Sequence, residues 1–194
     1  LLEGALVQVL ASALPEGAAV LVASSMPVRE VDVFLRSGRP DLRWLANRGV
    51  SGIDGLVSTT LGIAAAGQPT FGLLGDLAFL HDLGGLAAAQ RLGLRAVIVV
   101  INNRGGGIFS YLPIADTDAP MEELFNTSHD LDFGAAASLF GLDYAAPSSA
   151  GALRESLCAP VAGVSIVEVK VSRAQSVAWH REAWSSASAA AATA

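Results

Sequence analysis

Residues 70–103 read TFGLLGDLAFLHDLGGLAAAQRLGLRAVIVVINN. Two short apolar runs, TFGLLG (70–75) and RAVIVVI (95–101), bracket a segment rich in Ala and Leu, which is the order strand, helix, strand. The core of the second run, VIVVI, is apolar at every position instead of alternating, as in a central strand covered on both faces. Strands joined by a crossover helix run parallel, so both runs end on the same edge of a sheet. Each ends in polar residues, Asp76 after Gly75 and the pair Asn102-Asn103 after Ile101. If the two strands are neighbours, the carboxylate and the amides stand about 5 Å apart.

The same rhythm runs outward in both directions. Further strands read over 18–23, 42–46 and 163–171, with a short one at 142–144. Helical patterns cover 27–37, 53–66, 80–91, 132–140, 149–158 and 173–185, and LLEGALVQVLASALPEG (1–17) reads as an amphipathic helix. This alternation predicts an α/β protein of three layers, α/β/α, with a mostly parallel central sheet. The acidic segment 110–131, with Pro113 and Pro120, breaks the rhythm and reads as a loop with a short helix at Glu122–Phe125. Long loops of this kind are often lids over a site. The predicted domain is 1–185, and 186–194 is a low-complexity tail that frays.

A chain of 194 residues is long enough for one domain with a sizeable core. With 52% hydrophobic and only 15% charged residues, it is apolar enough to suggest surface buried against other protein. The net charge of -6 and the lack of any Lys/Arg stripe argue against nucleic acid as a partner. The one cysteine, Cys158, excludes an internal disulfide and a cysteine-based zinc site; it reads as a small buried side chain near a helix end, in keeping with a cytoplasmic setting. Glu3 and the missing basic region argue against a signal peptide, and no apolar run approaches the roughly 20 residues of a membrane span. The chain begins without Met, which suggests a fragment or a processed product.

The shared strand edge carries the chemistry. Asp76, Asn103 and backbone carbonyls of the glycine turn make an all-oxygen set that suits a hard cation such as magnesium. One formal negative charge leaves most of the ion's charge for an anionic ligand, so magnesium bridged to phosphates is the natural reading. Gly105, Gly106 and Gly107 permit positive φ and bring backbone N–H groups towards phosphate oxygens. Ser24 and Ser25, after the first strand and before Pro27, add hydroxyls and a helix N-terminus at the same edge. Taken singly, each element is ordinary: GD is a common turn, NN before GGG a flexible connection, and Ser-Ser before Pro a simple N-cap. Their order and shared edge are what point to a diphosphate-sized site. Neither G-x-x-x-x-G-K-[ST] nor G-x-G-x-x-G after a strand is present, which removes the two commonest nucleotide signatures. Of the two histidines near this edge, His81 reads as a surface or structural residue and His129 as a loop-closing or capping one.

Gly75-Asp76, 25 residues and Asn102-Asn103 resemble the motif of the thiamine-diphosphate-dependent decarboxylases and synthases, in their diphosphate-binding domain. The resemblance implies that magnesium is held by Asp76, Asn103 and the carbonyl of Gly105. Where that family has GDG this chain has Gly75-Asp76-Leu77, a departure at a position that contributes backbone. SSMPVRE (24–30), NRGVSGIDG (47–55), GDLAFLHDL (75–83) and NNRGGGIFSYLP (102–113) narrow the resemblance to the menaquinone-pathway synthases, over about residues 18–171. It implies that Arg29 and Arg48 hold substrate carboxylates, that Ile53 props the bent cofactor, and that Ile108, Phe109 and Leu112 line the cofactor and substrate pocket. The implied reaction decarboxylates 2-oxoglutarate and adds the resulting succinyl carbanion equivalent to isochorismate, with thiamine diphosphate and Mg2+ as cofactors. The activating Glu of such enzymes belongs to a pyrimidine-binding domain on another subunit. The implied partners are therefore that domain, a central domain and further copies in a homodimer or tetramer, with this chain inactive alone. Two other readings stay open: the diphosphate-binding subunit of a two-chain decarboxylase, and an α/β module without a ligand.

Overall fold

The computed structural model describes residues 1–36, 39–47, 49–160 and 162–192. The first helix, α1 (Glu3–Ala13), presents Leu6, Val9 and Leu10 from one stripe, spaced three and four apart, to the sheet. It leads into β1 (Ala19–Val22), all four residues of which are buried. α2 (Met26–Phe34) follows, then β2 (Arg43–Leu45), α3 (Leu56–Ala65) and β3 (Thr70–Gly75). α4 (Asp76–His81), a 3-10 turn at Leu83–Leu86 and α5 (Ala87–Arg91) cross to β4 (Ala96–Asn102). Beyond the irregular segment come α6 (Phe133–Leu139), β5 (Asp143–Ala145), α7 (Ala150–Cys158), β6 (Val164–Lys170) and α8 (Arg173–Ala192). Ser149 and Asp132 cap α7 and α6 by accepting from the amides of Ala152 and Ala135.

All six strands are parallel, in the order β2-β1-β3-β4-β6-β5. One apolar cluster, with Leu6, Leu10, Val20, Leu73, Val99 and Leu153, fills the face under α1, α2 and α7. The other, with Leu56, Phe79, Leu86, Ile98, Phe133 and Ile166, fills the face under α3 to α6. This is the predicted three-layer α/β/α fold. Strand order turns back between β1 and β3, and open parallel sheets bind ligands beyond the carboxyl ends of their strands at such a point.

Three sequence expectations change. The helix expected over 80–91 begins at Asp76, directly after β3, and is interrupted at Asp82, whose carboxylate is drawn off to the backbone amide and hydroxyl of Ser58 on α3. Cys158 does end a helix, but it is exposed, because its side chain falls at the rim of α7 while Leu153 and Leu157 take the core positions. Residues 186–192, expected to fray, continue α8 as exposed turns, in keeping with the helix preference of Ala. Ser37, Gly38, Arg48, Val161, Thr193 and Ala194 lie outside the described residues, so the assignments to Arg48, to position 37 of the expected 27–37 helix, whose described part already ends at Phe34 with Leu35 extended, and to the last residues of the tail are not placed. Among the described residues, no helix is long and apolar enough to cross a membrane.

Candidate functional site

β3 and β4 are neighbours, with Gly75 paired to Ile101, so Asp76, just past β3, stands beside Asn102, the last residue of β4. Asn102 is structural: its Nδ2 donates to Glu168 Oε1 at 2.6 Å and its Oδ1 accepts from the Arg104 amide at 2.9 Å. Asn103, one residue on, is left with a buried Oδ1 that has no hydrogen-bond partner among the described residues. Buried polar atoms are normally satisfied, so an orphaned amide oxygen here points to a group the protein holds. Asp76 is only 2% exposed. Its Oδ1 accepts from the Leu77 amide at 2.7 Å and its Oδ2 from the Gly105 amide at 2.9 Å. Burial pushes its carboxyl above the usual range, opposed by the Gly105 and Leu77 amides and by His129.

The glycine turn differs from its expectation in two respects. Only Gly105 has positive φ, at 139°; Gly106 is at -76°, and the residue before the turn, Arg104, takes 64° despite its side chain. The three amides are not free for phosphate: Gly105 donates to Asp76, Gly106 to the Asn126 carbonyl at 2.6 Å, and Gly107 to the Gly105 carbonyl at 2.9 Å. The glycines serve close approach instead. A Cβ at Gly106 would stand 2.9 Å from the Phe125 carbonyl oxygen, and one at Gly107 would overlap the Asn103 amide. The segment 110–131, read as a lid, is thus packed in part behind the turn. Its short helix is a single π-helical turn, Glu122–Asn126, held by Arg173 at 2.6 Å from Glu122 Oε1.

A cavity of about 250 Å³ opens beside Asp76. It brings together Ser24 and Ser25 from the β1 edge, Ile53, the Gly75–Leu77 junction, Asn103 and Gly105–Phe109. Ser25 stands at the N-cap of α2 with φ 72° and makes no capping bond through its side chain, so the strained residue leaves its hydroxyl for another partner. Two of the predicted residues lie elsewhere. Arg29 is turned back onto the Ser25 carbonyl at 2.6 Å and lines two adjoining pockets, one of them shared with Leu112. Leu112 follows the 3-10 turn Gly107–Tyr111 in extended conformation, which carries it out of the Asp76 cavity and leaves it 44% exposed. His81 is exposed at the end of α4. His129 does close the loop: its Nδ1 accepts from the Leu131 amide at 3.3 Å and its ring meets Phe133 at 5.8 Å. Sequence reasoning missed Glu3, which reaches this cavity from α1; nothing local to it signals a partner so far along the chain.

The set Asp76, Asn103 Oδ1 and the Gly105 carbonyl, whose second lone pair is unused by Gly107, fits a hard divalent cation. A model of the thiamine pyrophosphate enzyme C-terminal TPP binding domain matches residues 30–169. The chain belongs to this family. As a family member it has well-matched relatives. It is 46% identical over 184 residues to the 2-succinyl-5-enolpyruvyl-6-hydroxy-3-cyclohexene-1-carboxylate synthase of Geobacillus thermodenitrificans, covering 94% of this chain and 31% of that protein. To the synthase of the same name from Rubrobacter xylanophilus it is 47% identical over 173 residues, 87% of this chain and 30% of that protein. The TPP-binding domain thus spans about a third of the length of the curated relatives it matches. A solved Mycobacterium smegmatis protein described as thiamin diphosphate-dependent shares the fold, with a TM-score of 0.67 at 22% identity over 89% of this chain and 32% of that one.

Proposed function

We propose that residues 1–185 are the diphosphate-binding domain of a 2-succinyl-5-enolpyruvyl-6-hydroxy-3-cyclohexene-1-carboxylate synthase. In this reading it acts within a longer protein that also has pyrimidine-binding and central domains and assembles as a homodimer or tetramer. The observation that carries the reading is the orphaned Asn103 Oδ1 beside the buried Asp76 carboxylate, at the turning point of the sheet. The similarity to two synthases of that name supports the choice of substrates, 2-oxoglutarate and isochorismate.

Asp76, Asn103 and the Gly105 carbonyl would hold Mg2+, which would supply positive charge for the diphosphate of thiamine diphosphate. The bound cofactor supplies an electron sink for decarboxylation and carbon–carbon bond formation. The chain's own residues bind and orient. Ser24 and Ser25 offer hydroxyls to the diphosphate, while Ile53, Ile108 and Phe109 give the cavity apolar walls that keep water from the reacting end. Arg29 and Arg48 take substrate carboxylates, a task suited to a planar guanidinium. Arg29 can do so by exchanging the Ser25 carbonyl for a carboxylate, a stronger charge-assisted partner. The pyrimidine-activating carboxylate is supplied by another domain, so this chain by itself does not turn over.

The test is direct. The intact protein, given 2-oxoglutarate, isochorismate, thiamine diphosphate and Mg2+, releases carbon dioxide and forms the named product, and the 194-residue chain alone does neither. Absence of carbon dioxide release by the intact protein overturns the reading. Turnover by the isolated chain overturns the claim that it is incomplete.

A further inference from the structure

Glu3 and Glu30 are carboxylates 4% and 1% exposed, and neither belongs to the metal set described above. A short run of polar groups lies between them. Ser176 Oγ donates to Glu3 Oε1 at 2.8 Å. With that hydroxyl proton spent, the Tyr111 hydroxyl, 2.9 Å from Oγ, must be the donor to it. His180 Nδ1 lies 2.8 Å from the Ser176 carbonyl oxygen, which can only accept, so Nδ1 carries a proton. Nε2 then faces both oxygens of Glu30, at 3.0 and 3.1 Å. One proton in that gap serves the pair, giving an ion pair when it sits on the imidazole and a neutral pair when it sits on Glu30. Burial lifts the Glu30 carboxyl to about 7, with His180 opposing and Glu3 reinforcing the rise.

These bonds tie four elements into one block. Glu3 comes from α1, Glu30 from α2, Tyr111 from the 3-10 turn after the glycines, and Ser176 and His180 from α8. Phe34, Tyr111, Trp179 and Trp184 surround the imidazole, with ring centroids 5.1 to 5.6 Å away. The charged or titratable groups facing the pair are Glu3, Tyr111 and, at the rim of the adjoining pocket, Arg29. At its far end the block reaches the Asp76 cavity, where Glu3 lines the wall and its Oε2 has no hydrogen-bond partner among the described residues. Two of the pinned elements carry residues of the site. Arg29 directly precedes Glu30, and Ile108 and Phe109 share the turn with Tyr111.

We propose that His180 is a positioning residue for the site. By holding Glu30 directly, and Tyr111 and Glu3 through Ser176, it sets α2 and the 107–111 turn against one another and so places Arg29 opposite Ile108 and Phe109. α8 lies beyond the residues matched by the family model, so this role is not part of that match. The functional half of the proposal rests on the reading of Arg29 as a substrate-carboxylate residue.

Two measurements on the intact protein test it. Amide hydrogen exchange compares wild type with His180→Gln and Glu30→Gln. Faster exchange in both α2 and the 107–111 turn is expected, and acceleration confined to α8 overturns the proposal. Because this readout needs no turnover, it judges the network even if the synthase reading fails through absence of carbon dioxide release. In steady-state kinetics, His180→Gln raises KM for 2-oxoglutarate or isochorismate by about tenfold while kcat stays within about threefold, and Arg29→Ala/His180→Gln is no worse than Arg29→Ala. Multiplying losses in the double variant, or a fall in kcat with KM unchanged, overturns it. Should His180→Gln fold poorly, His180→Asn is carried through the same comparison, with the same outcomes deciding.

Discussion

Nε2 of His129 lies 3.3 Å from Oδ2 of Asp76, so the segment 110–131 touches the candidate metal ligand from behind the glycine turn. Asp76 is therefore enclosed by three parts of the chain: its own helix start, the turn at Gly105 and the loop at His129. Enclosure without a cation is costly to a carboxylate. Asp76→Ala is expected to shift the melting temperature of the ligand-free protein by only a few degrees, since a desolvation penalty disappears along with two hydrogen bonds. The rise in melting temperature produced by Mg2+ with thiamine diphosphate in the intact protein should vanish in the variant. An undiminished rise would remove Asp76 from the cofactor site.

Gly105 and Gly106 separate two effects of a methyl group. At Gly105 a side chain meets both φ 139° and an overlap with the Asn126 carbonyl, whereas at Gly106 the backbone is ordinary and the close neighbour is the Phe125 carbonyl. Gly105→Ala should cost about 3 kcal/mol or more in urea unfolding, and Gly106→Ala about 1–2 kcal/mol. The reverse order would show that the turn relaxes at 105 and is rigid at 106.

The strand edge was legible in the sequence because its information is local: VIVVI announces a doubly covered strand, and Asp76 and Asn103 each follow directly on a strand. The whole sheet follows from the same rule, down to the short strand at Asp143–Ala145. What was not legible depends on distant partners. The break at Asp82 comes from Ser58, the use of the Gly106 amide from Asn126, and the burial of Glu3 from Ser176. No pattern within a helix announces these, since a lone Glu in an amphipathic segment reads as a solvated residue. Cys158 misled for the opposite reason: a small apolar residue is usually buried, and here the helix rim decided otherwise.

Glu30 predicts the sign of a pH effect. Its carboxyl ionises near 4.5 in the unfolded chain and about 7 in the fold, so between these values the folded chain binds more protons than the unfolded one. This contribution to stability is full below pH 4.5, is lost as pH rises towards 7, and is flat above. Asp41 and Glu122, held below the usual range by Arg39 and by Ser128 with Arg173, act in the opposite sense. The test is therefore a difference: urea midpoints of wild type minus those of Glu30→Gln should fall across that window. A difference independent of pH would show that Glu30 titrates normally.

Phe79 offers a calibration of the core that is remote from charge. It is fully buried and meets Phe133 edge-on at 5.2 Å and 83°. Phe79→Ala should cost about 3–5 kcal/mol in equilibrium unfolding. A loss below about 1 kcal/mol would mean that α4 and α6 collapse onto the space.

The bond from Ser176 to Glu3 spans 173 positions. Nearly all of the sheet can pair before it forms, because each crossover joins strands close in sequence, and α1 can seat Leu6, Val9 and Leu10 on that sheet, but this one bond has to wait for α8. A chain halted before residue 176 would own every strand and the glycine turn, yet lack the hydroxyl from which Glu3 accepts at the wall of the cavity.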